Sequence, residues 1–436
     1  MAVKVKCLKC GFESNNYRGY KCPNCGSLLE VIHDFEWIIE WENNGIWIFS
    51  KMLPQTNHRI SLGEGWTPLI RSDNLFRNEN IYFKDESRNP TGSFRDRAAA
   101  LIVSDALDQG AKRLVVASDG NMGASIAAYS AKAGLPVTIY VPVWTDPEKI
   151  LLMKAYGAKV IVSEEDLDTL LQYVERRARK EKLYNASSTY NILAMEGLKT
   201  IGYEIYLQYG GVPSTVYVPL GSGLTILSLY HGFSEMHSNN IIDHIPKLIG
   251  VETCANPVYS SIHGNPTKCN EEPMPGLYYR KPVLKEYVSE IIDKHGETIV
   301  VNNKQVYMAA KKLAMEEGLF VEPSSAVALA GALKIGGTEN SIILLTGHGL
   351  KSPTPYTRPS RERYTPFPGS TKSLILKIIS EKPGLTGYEI WKRLGLRISV
   401  QAVYQHLKEL EKIGLIYSKF SENRKLYFPV YKKSSS

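Results

Sequence analysis

The sequence predicts an α/β protein built on parallel sheet, with a smaller module at each end. Three observations carry this. Strand-length β-branched runs alternate with helical patterns from about Ile81 to Thr346, and glycine turns join them. Four of the six cysteines crowd into residues 7–25. The charge is uneven: residues 1–350 hold 35 basic and 38 acidic side chains, whereas residues 351–436 hold 17 and 6. The net balance of +8 therefore sits in the last fifth of the 436 residues. A slightly acidic body and a basic tail imply different partners. With 43% apolar and 22% charged residues, the collagen-like and disordered classes are excluded. The length suggests two to four domains. No apolar run is long enough to span a bilayer, and the start, Met-Ala-Val-Lys-Val-Lys-Cys, lacks the apolar core of a signal peptide. A cytoplasmic protein without a membrane partner is expected.

At the N-terminus, Cys7-Leu-Lys-Cys10 and Cys22-Pro-Asn-Cys25 form two C-x2-C pairs eleven residues apart. Two intervening residues let both sulfurs of a pair face one ion. Four thiolates at tetrahedral geometry suit Zn²⁺ and leave no open position for chemistry. A structural zinc knuckle over residues 1–30 is expected, with two disulfides or unconnected thiols as the alternatives. Cys254 and Cys269 stand alone.

Residues 31–350 form the body. Leu114–Ala117, 137–141, 160–162, 215–218 and Ser341–Leu345 read as strands. Residues 122–133 read as a small-residue helix stopped by Gly134, and 150–156 as a helix up to Gly157. Ligands of such sheets sit beyond the carboxyl ends of the strands, so the glycine turns there are the candidate sites. Gly221-Ser222-Gly223-Leu224-Thr225 can aim amide groups and a helix N-terminus at a phosphate, or be only a turn. Asn121, in Ser118-Asp119-Gly120-Asn121, can donate to a ring hydroxyl or cap the next helix. Thr346 can hydrogen-bond a ring nitrogen or cap a turn.

The run Lys84-Asp85-Glu86-Ser87-Arg88-Asn89-Pro90-Thr91-Gly92-Ser93-Phe94-Arg95-Asp96-Arg97 closely resembles the cofactor-lysine motif of threonine synthases. These are pyridoxal-phosphate enzymes with a tryptophan synthase β-like fold. Residues 64–69 (Glu-Gly-Trp-Thr-Pro-Leu), 318–326 and 345–351 are similar to further motifs of that family, in family order. Some members share the zinc-ribbon start. The resemblance covers residues 1–352 and implies two parallel-sheet subdomains. It implies that Gly221, Ser222, Gly223, Leu224 and Thr225 cradle the cofactor phosphate, that Asn121 holds the ring hydroxyl and that Thr346 meets the pyridine nitrogen. It places Thr91 and Ser93 near the substrate, Ser118 and Asp119 by its carboxylate, and Asn185, Ser187 and Ser188 by its phosphate. Lys149 falls in a basic loop, serving an anionic ligand or lying on a solvated helix face. The family converts O-phosphohomoserine to threonine and phosphate.

Two positions depart from the pattern. Arg95 stands where the family has the lysine that forms a Schiff base with the cofactor and later shuttles protons. An amine does both because its pKa can be lowered. A guanidinium stays protonated and its nitrogens are poor nucleophiles, so Arg95 cannot take that part, although it can fork onto a phosphate or carboxylate. Lys84 matches a separate family lysine and is not expected to substitute. Asp119 stands where the family usually has Ser or Thr, and an ion pair between Arg95 and Asp119 is expected to compensate.

Residues 351–370 read as a proline-rich linker. In residues 371–432, Leu374, Ile375, Ile378 and Ile379 form one helical face, and Ile390, Trp391 and Leu394 face inward from a second helix. Ser399 caps a third, with Val400, Val403, Leu407 and Leu410 on its apolar side. Residues 415–420 and 425–430 alternate as a ribbon with Glu422-Asn423-Arg424 at its tip. The pattern resembles a winged helix-turn-helix domain. Its third helix would turn Gln401, Ala402, Tyr404, Gln405 and Lys408 toward a major groove, with Arg424 and Lys425 near phosphates. A net +8 over residues 371–436 favours DNA, with dimerisation through the same fold as the alternative.

Together these features predict a threonine synthase-like pseudoenzyme acting as a homodimeric, DNA-binding transcription regulator. It would sense a small anionic amino-acid metabolite, hold structural zinc, and hold pyridoxal phosphate, if at all, without a covalent bond. A working threonine synthase or related lyase with an appended regulatory domain is the enzymatic alternative. A non-catalytic enzyme-partner protein is the third.

Overall fold

The computed structural model describes residues 3–77, 79–262, 269–353, 371–395, 398–412, 414–421 and 424–430. Nearly all of the linker, and Glu422 and Asn423 of the ribbon tip, lie outside these residues. The chain divides into two compact units, Met1–Pro355 and Tyr356–Ser436.

The first unit opens with strands β1 (Lys4–Lys6), β2 (Glu13–Ser14) and β3 (Glu30–Ile32), an antiparallel sheet in the order β2-β1-β3. Beside it the four clustered cysteines carry free thiols, and their sulfurs all lie within 4.8 Å of one another. Cys254 and Cys269 do not stand alone. They form a disulfide, because the fold brings their Cα atoms to 5.2 Å, a proximity that no sequence spacing announces.

The body then runs through β4 (Leu69–Arg71), β5 (Ile81–Asp85), α1 (Arg95–Asp108), β6 (Leu114–Ala117), α2 (Asn121–Ala133), β7 (Val137–Pro142), α3 (Pro147–Ala155), β8 (Lys159–Ser163), α4 (Leu167–Glu181) and β9 (Tyr184–Asn185). After these come α5 (Leu193–Tyr209), β10 (Thr215–Pro219), α6 (Leu224–Ser238), β11 (Lys247–Thr253), α7 (Lys285–His295), β12 (Gly296–Val301), α8 (Asn303–Lys312), α9 (Pro323–Ile335) and β13 (Ser341–Leu345). They form two sheets. One is parallel, in the order β8-β7-β6-β9; the other runs β12-β11-β10-β13-β5-β4 and is parallel except for β4. Every residue of β6, β10 and β13 is buried, as expected of parallel strands covered on both faces. Helix α3 begins three residues before the apolar pattern does, because Pro147 is pre-set for the first helical turn.

β13 lies between β10 and β5. The turn after β13 therefore meets the segment after β5, and the Phe94 N–H donates to the Thr346 carbonyl at 3.1 Å. A buried ionic network fixes that segment. Arg97, with no exposed surface, forks onto Glu86 at 2.7 Å from both Nε and Nη2, and onto Glu204 of α5 at 2.5 and 2.7 Å. Lys84 donates to the same Glu204 at 2.7 Å and to the Thr67 carbonyl at 2.7 Å. Burial pushes the Glu204 carboxyl up, but the Arg97 and Lys84 charges outweigh it and hold it down to about 2. Helices α1 and α5 cross closely here. A Cβ on Gly197 would stand 2.4 Å from the Arg97 carbonyl oxygen, so only glycine fits.

The second unit contains α10 (Thr371–Glu381), β14 (Leu385–Thr386), α11 (Gly387–Arg393), α12 (Val400–Lys412), β15 (Ile416–Ser421) and β16 (Arg424–Pro429). Its sheet is antiparallel, in the order β14-β16-β15. Ile375, Ile379, Ile390, Val403, Leu407 and Leu410 meet in its core. Leu374 stays exposed and Trp391 half-buried, with the Trp391 indole donating to the Ile398 carbonyl. Thr386 and Glu389 cap α11 reciprocally, and the Ser399 hydroxyl accepts from Ala402 N–H at the start of α12. β14, two residues long, is too short to leave a periodic signal. No helix among the described residues is long and apolar enough to cross a membrane.

Replacing Arg97 with Met leaves Glu86 and Glu204 buried without their shared counter-charge. It is expected to cost about 3–5 kcal/mol in chemical denaturation. The folded Glu204 pKa lies below its ordinary value of 4.5, so its stabilisation is complete above that value and is lost as pH falls toward 2. Arg97→Met should therefore also flatten the fall in stability between pH 4.5 and about 2.

Candidate functional site

The turns after β6, β10 and β13 converge on one cavity at the carboxyl ends of those strands, where parallel sheets bind ligands. From the turn before α6, Gly221, Ser222, Gly223 and Thr225 line it, while Leu224 turns into the core. The turn is shaped from behind. Gly223 has φ +87, and a Cβ there would meet Tyr259 Oη at 2.5 Å; that hydroxyl donates to the Ser222 carbonyl at 3.0 Å. The turn leads into the N-terminus of the 15-residue α6, an end that favours anions.

Asn121, Thr346 and Arg95 line the same cavity. Asn121 Nδ2 donates to Glu322 at 2.6 Å, and its Oδ1 is buried without a partner. The Thr346 N–H donates to Ser325 Oγ at 2.7 Å. Arg95, in the first turn of α1, places its guanidinium carbon 4.5 Å from the centre of the Phe94 ring, and its Nη1 is buried without a partner. Lys149 is not on a solvated face. It is buried and paired with Asp146 at 2.9 Å and Glu322 at 3.0 Å. Burial alone would push the Lys149 ammonium down, but Glu322 and Asp146 outweigh it and hold it protonated. Burial pushes the Asp119 carboxyl up against the pull of Lys149, the Gly276 N–H and Arg95.

The expected Arg95–Asp119 ion pair does not form. Asp119 Oδ2 instead accepts the Gly276 N–H at 2.9 Å, and Arg95 Nη1 is left without a partner. Other predicted residues divide. Ser118 and Ser188 line the cavity, and the Ser118 hydroxyl also accepts from Gly120 and Gly123 N–H. Asn185 and Ser187 do not line it. Asn185 is taken up by Glu175 and by Ser187 N–H, and Ser187 Oγ accepts the Ala117 N–H. Thr91 is bound to Asp96, and the Ser93 hydroxyl accepts from Arg95 N–H; neither lines the cavity. Lys84 is held by Glu204, as above, and among the described residues Lys149 is the one lysine in the lining. Glu322, Tyr279 and Gly276 were not among the candidates. Glu322 had a signal, as the residue before Pro323 in a motif already noted; the other two had none.

A family model described as pyridoxal-phosphate dependent enzyme matches residues 60–347. The chain belongs to that family. It is 34% identical to the threonine synthase of Methanosarcina acetivorans, over 80% of this chain and 92% of that one. It is likewise 34% identical to the threonine synthase of Methanocaldococcus jannaschii, over 82% and 95%. Among solved structures, a hydrogen sulfide-producing enzyme from Fusobacterium nucleatum superposes with a TM-score of 0.58 at 20% identity, over 68% of this chain and all of that one. The diaminopropionate ammonia lyase of Escherichia coli also gives 0.58 at 20% identity, over 69% and 88%. These two share the fold.

The donor set suits pyridoxal phosphate in three respects. The glycine turn at a helix N-terminus suits a phosphate, the unpartnered Asn121 Oδ1 suits a ring hydroxyl, and Thr346 adds to the lining a hydroxyl-bearing side chain of a type that suits a ring nitrogen. In a fourth it does not, because among the described residues of the lining no amine is free of an ion pair to take the aldehyde. The free interior is narrow, about 60 Å³, so a ring enters only as side chains part. Arg95, whose Nη1 has no partner to give up, is placed to yield.

Proposed function

We propose that this threonine synthase-like protein holds pyridoxal phosphate, or a compound of the same shape, without a covalent bond, and that it lacks the replacement chemistry of its relatives. The observation that carries this is Arg95, in the cavity wall at the position of the family's lysine, with Lys149 ion-paired and no other amine among the described lining residues. When linked to a lysine, the cofactor supplies an electron sink for carbanions beside an amino group. Here residues 221–225 would bind the phosphate, Asn121 and Thr346 would orient the ring, and Ser118 and Ser188 would bound the space left for a small anionic amino-acid metabolite. The guanidinium of Arg95 is a poor nucleophile and a poor base, unsuited to link to the aldehyde or to accept a proton.

A second proposal is catalysis, a threonine synthase or related lyase, and it is favoured by identity over four-fifths of the chain to enzymes of that name. The two separate cleanly. On the first, borohydride treatment of the chain with pyridoxal phosphate fixes no adduct on a cavity residue, as read by peptide mapping, and Arg95→Lys fixes one at position 95. An adduct on a lining residue of the unaltered chain, or threonine formed from O-phosphohomoserine, establishes the second instead.

The C-terminal unit we take as the output, a winged helix-turn-helix that binds DNA and works as a homodimer on paired half-sites. The support is the face of α12. Gln401, Tyr404, Gln405 and Lys408 are exposed, Ala402 is half-buried, and Val403 and Leu407 point inward. Lys425 of the ribbon is paired with Glu411 at 3.1 Å, while Arg424 is exposed. With random-sequence duplex, Lys408→Ala and Arg424→Ala should each weaken binding and lower the salt slope by about one. Binding that ignores salt and both substitutions removes the DNA role and leaves a partner-protein or dimerisation role.

The four N-terminal thiols are proposed to hold one structural Zn²⁺, supported by their mutual approach within 4.8 Å. Elemental analysis should find about one zinc per chain, lost in Cys22→Ser. A zinc-free, stably folded protein refutes it.

A further inference from the structure

We infer that Arg95 makes the cavity select a ligand with an anionic group at each end, a pyridine phosphate that carries a carboxylate where the cofactor carries its aldehyde. This rests on the non-covalent pocket proposed above and adds which member of the ligand class it prefers.

Three buried side-chain atoms in the lining lack a hydrogen-bond partner; Glu322 Oε2 faces the Lys149 ammonium at 3.0 Å, and the other two are complementary. Arg95 Nη1 is a donor and Asn121 Oδ1 an acceptor. The neighbouring charges are already engaged. Lys149 is shared by Asp146 and Glu322, and Asp119 takes the Gly276 N–H. Arg95 is half-buried, but its Nη1 is enclosed without a partner while the nearby Asp119 carboxyl is turned to the Gly276 amide, so the group suited to this open donor is an anion. An aldehyde offers one neutral oxygen. A carboxylate offers two charged oxygens matched to the planar fork of arginine, and such charge-assisted pairs are about twice as strong as neutral ones. At the far end of the ligand, the turn of residues 221–225 and the N-terminus of α6 favour a phosphate. In the same lining, Asn121 Oδ1 is an open acceptor suited to a hydroxyl proton. These demands describe the oxidised, acid counterpart of the cofactor better than the cofactor itself. The family's lysine pattern favours the opposite, since an amine captures an aldehyde and gains nothing covalent from an acid. No chemistry on the ligand is involved.

The test is a binding comparison on the full chain by calorimetry, with two probes: 4-pyridoxic acid 5′-phosphate and pyridoxal 5′-phosphate. The unaltered protein should bind the acid about tenfold more tightly than the aldehyde, the difference one charge-assisted pair supplies. Arg95→Gln should abolish that preference, bringing the two affinities to about the same value, with an unchanged far-UV spectrum and melting temperature showing that the fold is intact. Arg95→Lys should turn the preference toward the aldehyde. Equal or tighter binding of the aldehyde by the unaltered chain, a preference that survives Arg95→Gln, or no binding of the acid overturns the inference. A borohydride-fixed adduct would instead bring down the non-covalent pocket beneath it, so the two failures are distinguishable.

Discussion

Everything around the cavity depends on one arrangement of buried charge. Arg97 joins Glu86, just beyond β5, to Glu204 on α5, and Lys84 on β5 shares the second carboxylate. Each member alone would be a charge stranded in a dry interior. Together they satisfy one another, and the geometry they accept is narrow. The segment between Lys84 and Arg97 is thereby held at both ends. Within it the Phe94 amide reaches the Thr346 carbonyl, so the positions of Arg95 and of the turn after β13 are set by the same lock. The side chain at position 95 can change its chemistry without disturbing this frame, because it takes no part in it.

That separation explains how a chain can keep a family's architecture and lose its reactive group. The turn at residues 221–225 is backbone, supported by Tyr259, and the Asn121–Glu322–Lys149 contacts form a side-chain web of their own. Neither needs a lysine at position 95. What changes with arginine is the electrostatic demand of the cavity. A lysine linked to an aldehyde ceases to be a free cation, whereas a guanidinium stays charged whatever occupies the space. The cavity lacks a carboxylate that pairs with it, since Asp119 is turned to the Gly276 amide.

The strand and helix alternation was legible because buried parallel strands write continuous apolar runs and glycine stops their helices. β13 is the clearest case, and the helix pattern of the C-terminal unit another, down to Val403, Leu407 and Leu410. The cavity turns were legible for the same reason, since they lie between elements that were. Contacts made by single atoms across long separations were not. Nothing near Asp119 in sequence announces Gly276, and nothing near Cys254 announces the disulfide. Asn185 and Ser187 show the converse. Polar residues of the right type can be used up holding their own loop, and motif position alone does not distinguish that from ligand contact.

The close crossing at Gly197 has a consequence for how this chain can vary. The Arg97 carbonyl occupies the space a side chain at position 197 would need, and the same arginine anchors the carboxylates of two elements. A larger residue at 197 would pry α1 from α5 and pull the guanidinium off Glu204; without the guanidinium, the helices would lose their reason to approach so closely. A change at position 95 meets neither constraint, so it alters the cavity wall and leaves the crossing and its buried charges standing.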